Sequence, residues 1–152
     1  MTPSYIDRFG GIGRLYGADG LQRLHDAHVC VIGIGGVGSW AAEALARTGV
    51  GKITLIDMDD ICVTNTNRQI HAMTSSVGKL KSEAVAERLK DINPEIDVDA
   101  RMAFVTASNL EEQITPDMDY VIDCIDSVKN KAALIAFCKR RKIRIVTTGA
   151  AS

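Results

Sequence analysis

The 152-residue sequence lacks several features that would place it in a specialised class of protein. It contains no run of about 18 apolar residues, which excludes a conventional transmembrane helix. Its first residues include no apolar segment of the kind a secretory signal requires. The four cysteines form no CxxC pair, which argues against a zinc site and a disulfide scaffold and favours a reducing cytoplasm. The 18 basic and 19 acidic residues nearly cancel, so any nucleic-acid contact requires a local patch.

The remaining composition is that of an ordinary soluble domain. Hydrophobic residues make up 46% and charged residues 24% of the chain, which excludes a disordered protein. A chain of this length is expected to form one domain that buries roughly two-thirds of its unfolded surface.

Short apolar runs alternate with amphipathic segments along most of the chain. Strands are predicted at 29–32, 53–56, 96–104, 120–124 and 143–147, and helices at 37–48, 79–92, 108–114 and 128–141. Helices between short strands require crossover connections, and therefore a mostly parallel sheet. The pattern predicts a doubly wound α/β domain over residues 28–152, preceded over 1–27 by an arm with a short helix at 21–26. Residues 61–78 are polar and are predicted to form a long functional loop.

A glycine motif joins the first predicted strand to the first helix. The segment 33–38 reads GIGGVG and contains G-x-G-x-x-G. In this context Gly33 allows a tight turn, Gly35 lets a phosphate approach the backbone, and Gly38 lets helix and strand pack closely. The free N–H groups and the helix dipole favour an anion. The motif indicates a Rossmann-like nucleotide-binding domain, and suits NAD, FAD, S-adenosylmethionine or ATP.

A carboxylate follows the second strand at the position where a ribose would lie. Asp57 comes 24 residues after Gly33 and directly ends the strand, so its carboxylate can accept hydrogen bonds from ribose hydroxyls. Asp59 and Asp60 are neighbours, and Asp57 is preferred because it is adjacent to the strand.

Four polar residues are predicted to meet at the same edge of the sheet: Asn65, Arg68, Lys81 and Asp126. Arginine and lysine can neutralise a triphosphate, and a carboxylate can hold Mg²⁺. A hydride-transfer enzyme needs neither, so this group favours ATP over NAD. Taken singly, Arg68 and Lys81 also suit solvated surface positions, and Asp126 suits a helix N-cap.

Several segments resemble the adenylating enzymes related to ubiquitin-activating enzyme, the ThiF/MoeB/HesA family. They are GIGGVGSWAAEALARTGVGKITLIDMD, VTNTNRQ, VGKLKSEA and DCIDS. The resemblance implies binding of Mg-ATP and transfer of AMP to a carboxylate with release of pyrophosphate. It implies ribose binding by Asp57, phosphate binding by Arg68 and Lys81, and Mg²⁺ binding by Asp126. Gly36 and Asn65 also match nucleotide-site positions of the family.

Further segments resemble the tRNA-modifying branch of that family: RFGGIGRLYG, VTNTNRQIHA, IDSVKNKAALIAFC and VTTGAAS. This resemblance implies, as substrate, tRNA carrying threonylcarbamoyladenosine, whose side-chain carboxylate is activated with ATP and then cyclised with net loss of water. It also implies a homodimer, and contact with sulfur-transfer proteins is a further expectation. Family members continue past residue 152, so we expect the C-terminal half of the family fold to be missing and the fragment alone to be inactive.

Three other functions stay open at the level of sequence. They are adenylation of the C-terminal glycine of a sulfur-carrier protein, NAD-dependent oxidoreduction, and nucleotide binding without catalysis. The resemblance also implies an arginine near the N-terminus that reaches the ATP of the partner subunit. Arg8 fits the first arginine of that motif, but Gly11 stands at the position of the second. Roles for Arg8 and Arg14 are therefore not assigned. The basic run 139–142 with Arg144 suits either tRNA phosphates or a solvated helix end.

Overall fold

The computed structural model describes residues 1–150, in which five parallel strands form one sheet. The strands are β1 (His28–Ile32), β2 (Lys52–Ile56), β3 (Asp97–Arg101), β4 (Tyr120–Asp123) and β5 (Arg144–Thr147). Their spatial order is β3-β2-β1-β4-β5, and every neighbouring pair is parallel. The predicted mostly parallel, doubly wound α/β fold is confirmed.

Helices connect the strands and cover both faces of the sheet. They are α1 (Pro3–Asp26), α2 (Gly38–Arg47), α3 (Lys81–Ile92), α4 (Leu110–Gln113) and α5 (Val128–Arg141), with a 3-10 helix at Val63–Asn67. Because side chains alternate along a strand, β1 contributes Val29 and Val31 to a core shared with α2 and α3. Cys30 and Ile32 enter the opposite core, shared with α4 and α5. The inner strands are therefore buried on both faces.

The strand order reverses between β1 and β4. β1 continues through α2 to β2 on one side, whereas β4 lies on its other side. The loops that leave the carboxyl ends of β1 and β4 therefore diverge and leave a crevice between them. In a doubly wound sheet this crevice is where ligands bind, so the topology alone points to the loops after β1, β2 and β4.

The N-terminal segment is more helical than the sequence predicts. The sequence predicts an arm with a short helix at 21–26, whereas α1 spans Pro3–Asp26. The helix has a kink at Gly17, whose φ is 80°. Glycine weakens a helix, but packing compensates here because Tyr5, Phe9 and Leu21 form a small buried cluster. The Tyr5 hydroxyl also donates a 2.6 Å hydrogen bond to the Gly49 carbonyl.

The loop 61–78 and strand β3 differ in detail from their predicted structures. The polar segment 61–78 is a loop as predicted, but it contains the 3-10 helix Val63–Asn67. β3 is an edge strand with only partial burial, which explains why its apolar alternation is weak and its predicted range of 96–104 too long. No helix within residues 1–150 is long and apolar enough to cross a membrane.

Candidate functional site

A cavity of about 430 Å³ opens in the crevice at the carboxyl ends of β1, β2 and β4. It brings together nearly all the residues that the sequence singles out. Its lining includes Gly33, Gly35, Gly36, Asp57, Asn65, Arg68, Lys81 and Asp126. Of the predicted set, Gly38 alone is not part of this lining, and it lies under the loop instead.

The glycine loop has one tightly packed position and one open position. A Cβ on Gly38 would lie 1.6 Å from the Gly33 carbonyl oxygen, so only glycine fits there. A Cβ on Gly35 would meet nothing closer than the Gln69 amide nitrogen, at 3.5 Å. The loop is therefore closed at Gly38, whereas Gly35 faces the cavity and leaves room for one more atom beside the Gln69 amide. A phosphate can approach the backbone at such a position.

The Asp57 carboxylate is fixed by two backbone amides. Oδ2 accepts a 2.7 Å hydrogen bond from the Ile34 N–H, and Oδ1 accepts one of 2.7 Å from the Asp59 N–H. These bonds join the end of β2 to the glycine loop. Each carboxylate oxygen has a second lone pair, so the group can accept a ribose hydroxyl without releasing the loop. Asp59 also lines the cavity but is exposed.

The loop after β2 holds Asn65 and Arg68 at the cavity. The Asn65 Oδ1 accepts a 2.9 Å hydrogen bond from the Cys62 N–H, so this side chain shapes the 3-10 turn. The Arg68 guanidinium donates to the Thr64 carbonyl at 3.1 Å. The Trp40 indole N–H, from α2, donates a 2.8 Å hydrogen bond to the Arg68 carbonyl and anchors the loop.

Lys81 is a largely buried cation on the wall of the cavity. Only 7% of the residue is exposed, and its backbone N–H donates to the Asp59 carbonyl at the start of α3. None of the salt bridges within residues 1–150 involves its ammonium group. A buried charge is costly unless it is compensated, so the position suits an anionic ligand in the cavity better than a solvated surface cation.

Asp126 lines the opposite wall, in the loop between β4 and α5. It is not the N-cap of α5: Ser127 occupies that position and its hydroxyl accepts a hydrogen bond from the Asn130 N–H. In the part of the chain that the structure describes, no group of three or more His, Cys, Asp or Glu side chains could hold a metal alone. Mg²⁺ is commonly held by one or two carboxylates together with substrate phosphates, and Asp126 fits that mode.

A buried ion pair behind Asp126 has no signature in the sequence. Asp123 is fully buried and accepts a 2.7 Å hydrogen bond from the Lys131 ammonium, which also donates to the Thr148 carbonyl at 2.9 Å. The other Asp123 oxygen accepts from the Ile125 N–H at 3.0 Å. The pair therefore fixes the loop that carries Asp126 and ties it to the end of β5. The motif VIDCID contains both aspartates, but nothing local distinguishes their roles.

Two residues outside the predicted site, His71 and Ser39, support the glycine loop. The His71 Nε2–H donates a 2.8 Å hydrogen bond to the Ile34 carbonyl, and burial lowers the pKa of this histidine. The Ser39 hydroxyl donates to the Gly35 carbonyl and accepts from the Ile70 N–H. The loop 61–78 thus supports the backbone of the phosphate-binding motif from below.

The end of β3 contributes an apolar wall to the cavity, formed by Ala103, Phe104 and Val105. Phe104 is 60% exposed, and an exposed aromatic ring beside a polar cavity can cover the face of a planar ring. The cavity is thus lined by this apolar wall, the fixed carboxylate of Asp57, the glycine loop and the cations Arg68 and Lys81. This arrangement defines a nucleotide-binding α/β domain.

Comparison with known proteins gives the family. The model of the ThiF family matches residues 11–152, and the chain belongs to this family. The chain is 60% identical over 151 residues to the tRNA threonylcarbamoyladenosine dehydratase of Escherichia coli K12, covering 99% of this chain and 56% of that protein. The Bacillus subtilis protein of the same name is 46% identical over 137 residues, covering 90% of this chain and 54% of its own.

A solved structure confirms the fold. The crystal structure of the E. coli tRNA N6-threonylcarbamoyladenosine dehydratase in complex with ATP matches with a TM-score of 0.95 and 60% identity. The match covers 96% of this chain and 60% of that one. The chain thus spans little more than half the length of the relatives it matches.

Proposed function

We propose that this chain is the ATP-binding part of an enzyme that dehydrates threonylcarbamoyladenosine in tRNA. In this reaction the side-chain carboxylate attacks the α-phosphorus of ATP and pyrophosphate leaves. The carbamoyl oxygen then attacks the activated carbonyl, AMP leaves, and a ring closes. The observation that carries the proposal is the cavity, which brings together a glycine loop, the cations Arg68 and Lys81 and three carboxylates. The chain that forms it is 60% identical to the E. coli tRNA threonylcarbamoyladenosine dehydratase.

The cavity divides into regions that match the parts of ATP. Ala103, Phe104 and Val105 would cover the adenine, and Asp57 would accept the ribose hydroxyls. The phosphates would lie over the open glycine loop between Arg68 and Lys81, with Asn65 shaping the turn that holds Arg68. Such a site accelerates the reaction by positioning the reacting groups and compensating phosphate charge, without a covalent enzyme intermediate.

Asp126 would hold Mg²⁺ against the phosphates, where the ion would neutralise charge on the leaving pyrophosphate. The chain's own contribution is to keep this carboxylate in place. The Asp123–Lys131 pair fixes the loop on one side and Ser127 caps α5 on the other. We expect Asp126→Ala to abolish turnover in a protein of the relatives' length, and undiminished turnover would contradict the assignment.

We further propose that residues 28–152 are the nucleotide-binding unit, that residues 1–27 are a helical extension packed on it, and that the whole protein is a cytoplasmic homodimer. The basic segment Lys139–Lys142 with Arg144 would contact tRNA phosphates. It lies at the far end of α5, about 20 Å along the helix from the cavity. Arg141 already pairs with Glu111, and Arg144 lies 5.5 Å from the centre of the Tyr120 ring. Any RNA contact there would be remote from the cavity.

Product analysis tests the proposed reaction. A protein of the relatives' length that contains this sequence is incubated with ATP and tRNA carrying threonylcarbamoyladenosine. We expect AMP and pyrophosphate in amounts that match the cyclised tRNA, and no products from tRNA that lacks the modification. Release of ADP would contradict adenylation.

Adenylation of a sulfur-carrier protein is the second candidate. The E. coli sulfur carrier protein ThiS adenylyltransferase is 35% identical over 132 residues, so the family uses this fold for that substrate too. ATP–pyrophosphate exchange that is stimulated by a carrier protein with a C-terminal glycine, and not by modified tRNA, would favour this function. Contact with sulfur-transfer proteins would then be part of the same activity.

A further inference from the structure

Gln69 is a buried side chain at the wall of the cavity whose amide oxygen has no hydrogen-bond partner within residues 1–150. It is only 5% exposed, and it lines the cavity between Arg68 and the glycine loop. Its Oε1 is closed off from solvent and has no hydrogen-bond partner. Its Nε2 is not closed off in the same way, and it forms no hydrogen bond within residues 1–150. Buried side-chain amides are nearly always satisfied, so this one calls for an explanation.

The backbone around Gln69 holds the side chain where it is. The Gln69 N–H donates a 2.9 Å hydrogen bond to the Asn65 carbonyl, which closes the 3-10 turn. The neighbouring Ile70 N–H donates to the Ser39 hydroxyl on α2, and His71 donates to the Ile34 carbonyl. These bonds fix the backbone from which the Gln69 side chain extends, whereas the amide itself forms no hydrogen bond within residues 1–150.

The Gln69 amide lies beside Gly35 of the glycine loop. Gln69 Nε2 and Cδ are the nearest atoms to the position a Cβ would take on Gly35, at 3.5 and 3.9 Å. That position is where a phosphate would approach the backbone. A phosphate over Gly35 would therefore lie beside an amide nitrogen that has no acceptor within residues 1–150.

We propose that Gln69 is a catalytic residue that donates an amide N–H to the α-phosphate of the bound nucleotide. The inference rests on the proposed function and names a residue that the predicted site did not include. The Asp57 carboxylate accepts a hydrogen bond from the Ile34 N–H, so a ribose bound to Asp57 would lie beside the glycine loop. The phosphate nearest that ribose, the α-phosphate, would then be the one closest to Gly35. Adenylation takes place at this phosphorus, and a neutral donor there would compensate its developing negative charge.

Two substitutions of Gln69 distinguish a role in ligand binding from a role in fold stability. Gln69→Met keeps the volume of the side chain and removes an unsatisfied buried amide, which is neutral or stabilising for the fold when no ligand is present. A merely structural glutamine would behave in the opposite way, because its loss would lower stability and weaken every ligand alike. Gln69→Glu keeps the shape but places an acceptor, charged at neutral pH, against the phosphate.

The experiment measures the affinity of the 152-residue chain for adenosine, AMP and Mg-ATP by calorimetry, together with its melting temperature. For Gln69→Met we expect AMP and ATP to bind about 10-fold more weakly, as for a lost hydrogen bond to a charged group. We expect adenosine to bind within 2-fold of the original chain, and the melting temperature not to fall. Gln69→Glu should weaken AMP and ATP further.

Two results would overturn the role of Gln69 and leave the proposed function standing, because the original chain would still bind ATP. The first is an unchanged affinity for AMP in Gln69→Met. The second is an equal loss of affinity for adenosine, AMP and ATP together with a lower melting temperature. If the folded original chain binds neither AMP nor ATP, the proposed function fails first, and the role of Gln69 fails with it.

Discussion

Replacing Gly35 by alanine tests the phosphate-binding geometry without disturbing the fold. The added Cβ would lie 3.5 Å from the Gln69 amide nitrogen, which is ordinary van der Waals contact. Gly35 is not among the glycines with positive φ, so alanine can adopt its conformation. We expect the free energy of unfolding to stay the same or to rise by about 0.4–1 kcal/mol, because alanine restricts the unfolded chain.

The same methyl group fills the space that a phosphate needs above the loop. We expect the affinity for Mg-ATP to fall at least about 10-fold, equivalent to roughly 1.4 kcal/mol. The matched control is Gly38→Ala, in which the Cβ would lie 1.6 Å from the Gly33 carbonyl oxygen. Backbone would have to move, so this variant should be destabilised by about 3 kcal/mol or more, at or above the usual cost of overpacking.

Urea unfolding and calorimetric titration with Mg-ATP distinguish the two variants. Gly35→Ala should remain as stable as the original chain and lose ATP affinity, whereas Gly38→Ala should lose stability. Full ATP affinity in a folded Gly35→Ala chain would show that the phosphates do not approach the backbone at this glycine. That result would refute the assignment of the loop.

Two further predictions concern residues that hold the loops. Lys131→Met leaves the Asp123 carboxylate buried without its 2.7 Å partner, so we expect urea unfolding to show a free energy of unfolding lower by about 3–5 kcal/mol. The double variant with Asp123→Asn should recover most of this stability. A similar loss in the single and the double variant would contradict the charge argument. Burial lowers the pKa of His71 from its usual 6.5, so the unfolded state takes up a proton first and stability should fall as pH decreases below about 6.5. Relative to His71→Gln, the original chain should lose stability between pH 7 and 5.5, and parallel curves would contradict this.

The sequence was sufficient to predict the architecture because its main signals are local. All five strands were predicted, and the predicted helix at 128–141 has the same bounds as α5. Buried strands of a parallel sheet are nearly continuous apolar runs, which makes them easy to find. β3 was less well defined because it is a partly exposed edge strand. The predicted length of α1 is too short because its glycines oppose helix formation. The contact that stabilises it, from Tyr5 to Gly49, is distant in sequence.

The predicted site residues meet in one cavity because the carboxyl ends of parallel strands share one edge. Their roles as ligand contacts stay predictions. The supporting residues could not be found in the same way. Asp123 and Lys131 pair across a loop, and Gln69 is distinctive only because its amide oxygen is buried without a hydrogen-bond partner within residues 1–150. Such roles depend on packing between segments that have no common sequence pattern.

The choice between nucleotides tests the central claim most directly. The 152-residue chain is titrated calorimetrically with ATP, with and without Mg²⁺, and in parallel with NAD. If the cavity is a Mg-ATP site, ATP should bind more tightly than NAD, and Mg²⁺ should strengthen ATP binding in the original chain but not in Asp126→Asn. Tighter binding of NAD than of Mg-ATP would contradict the account.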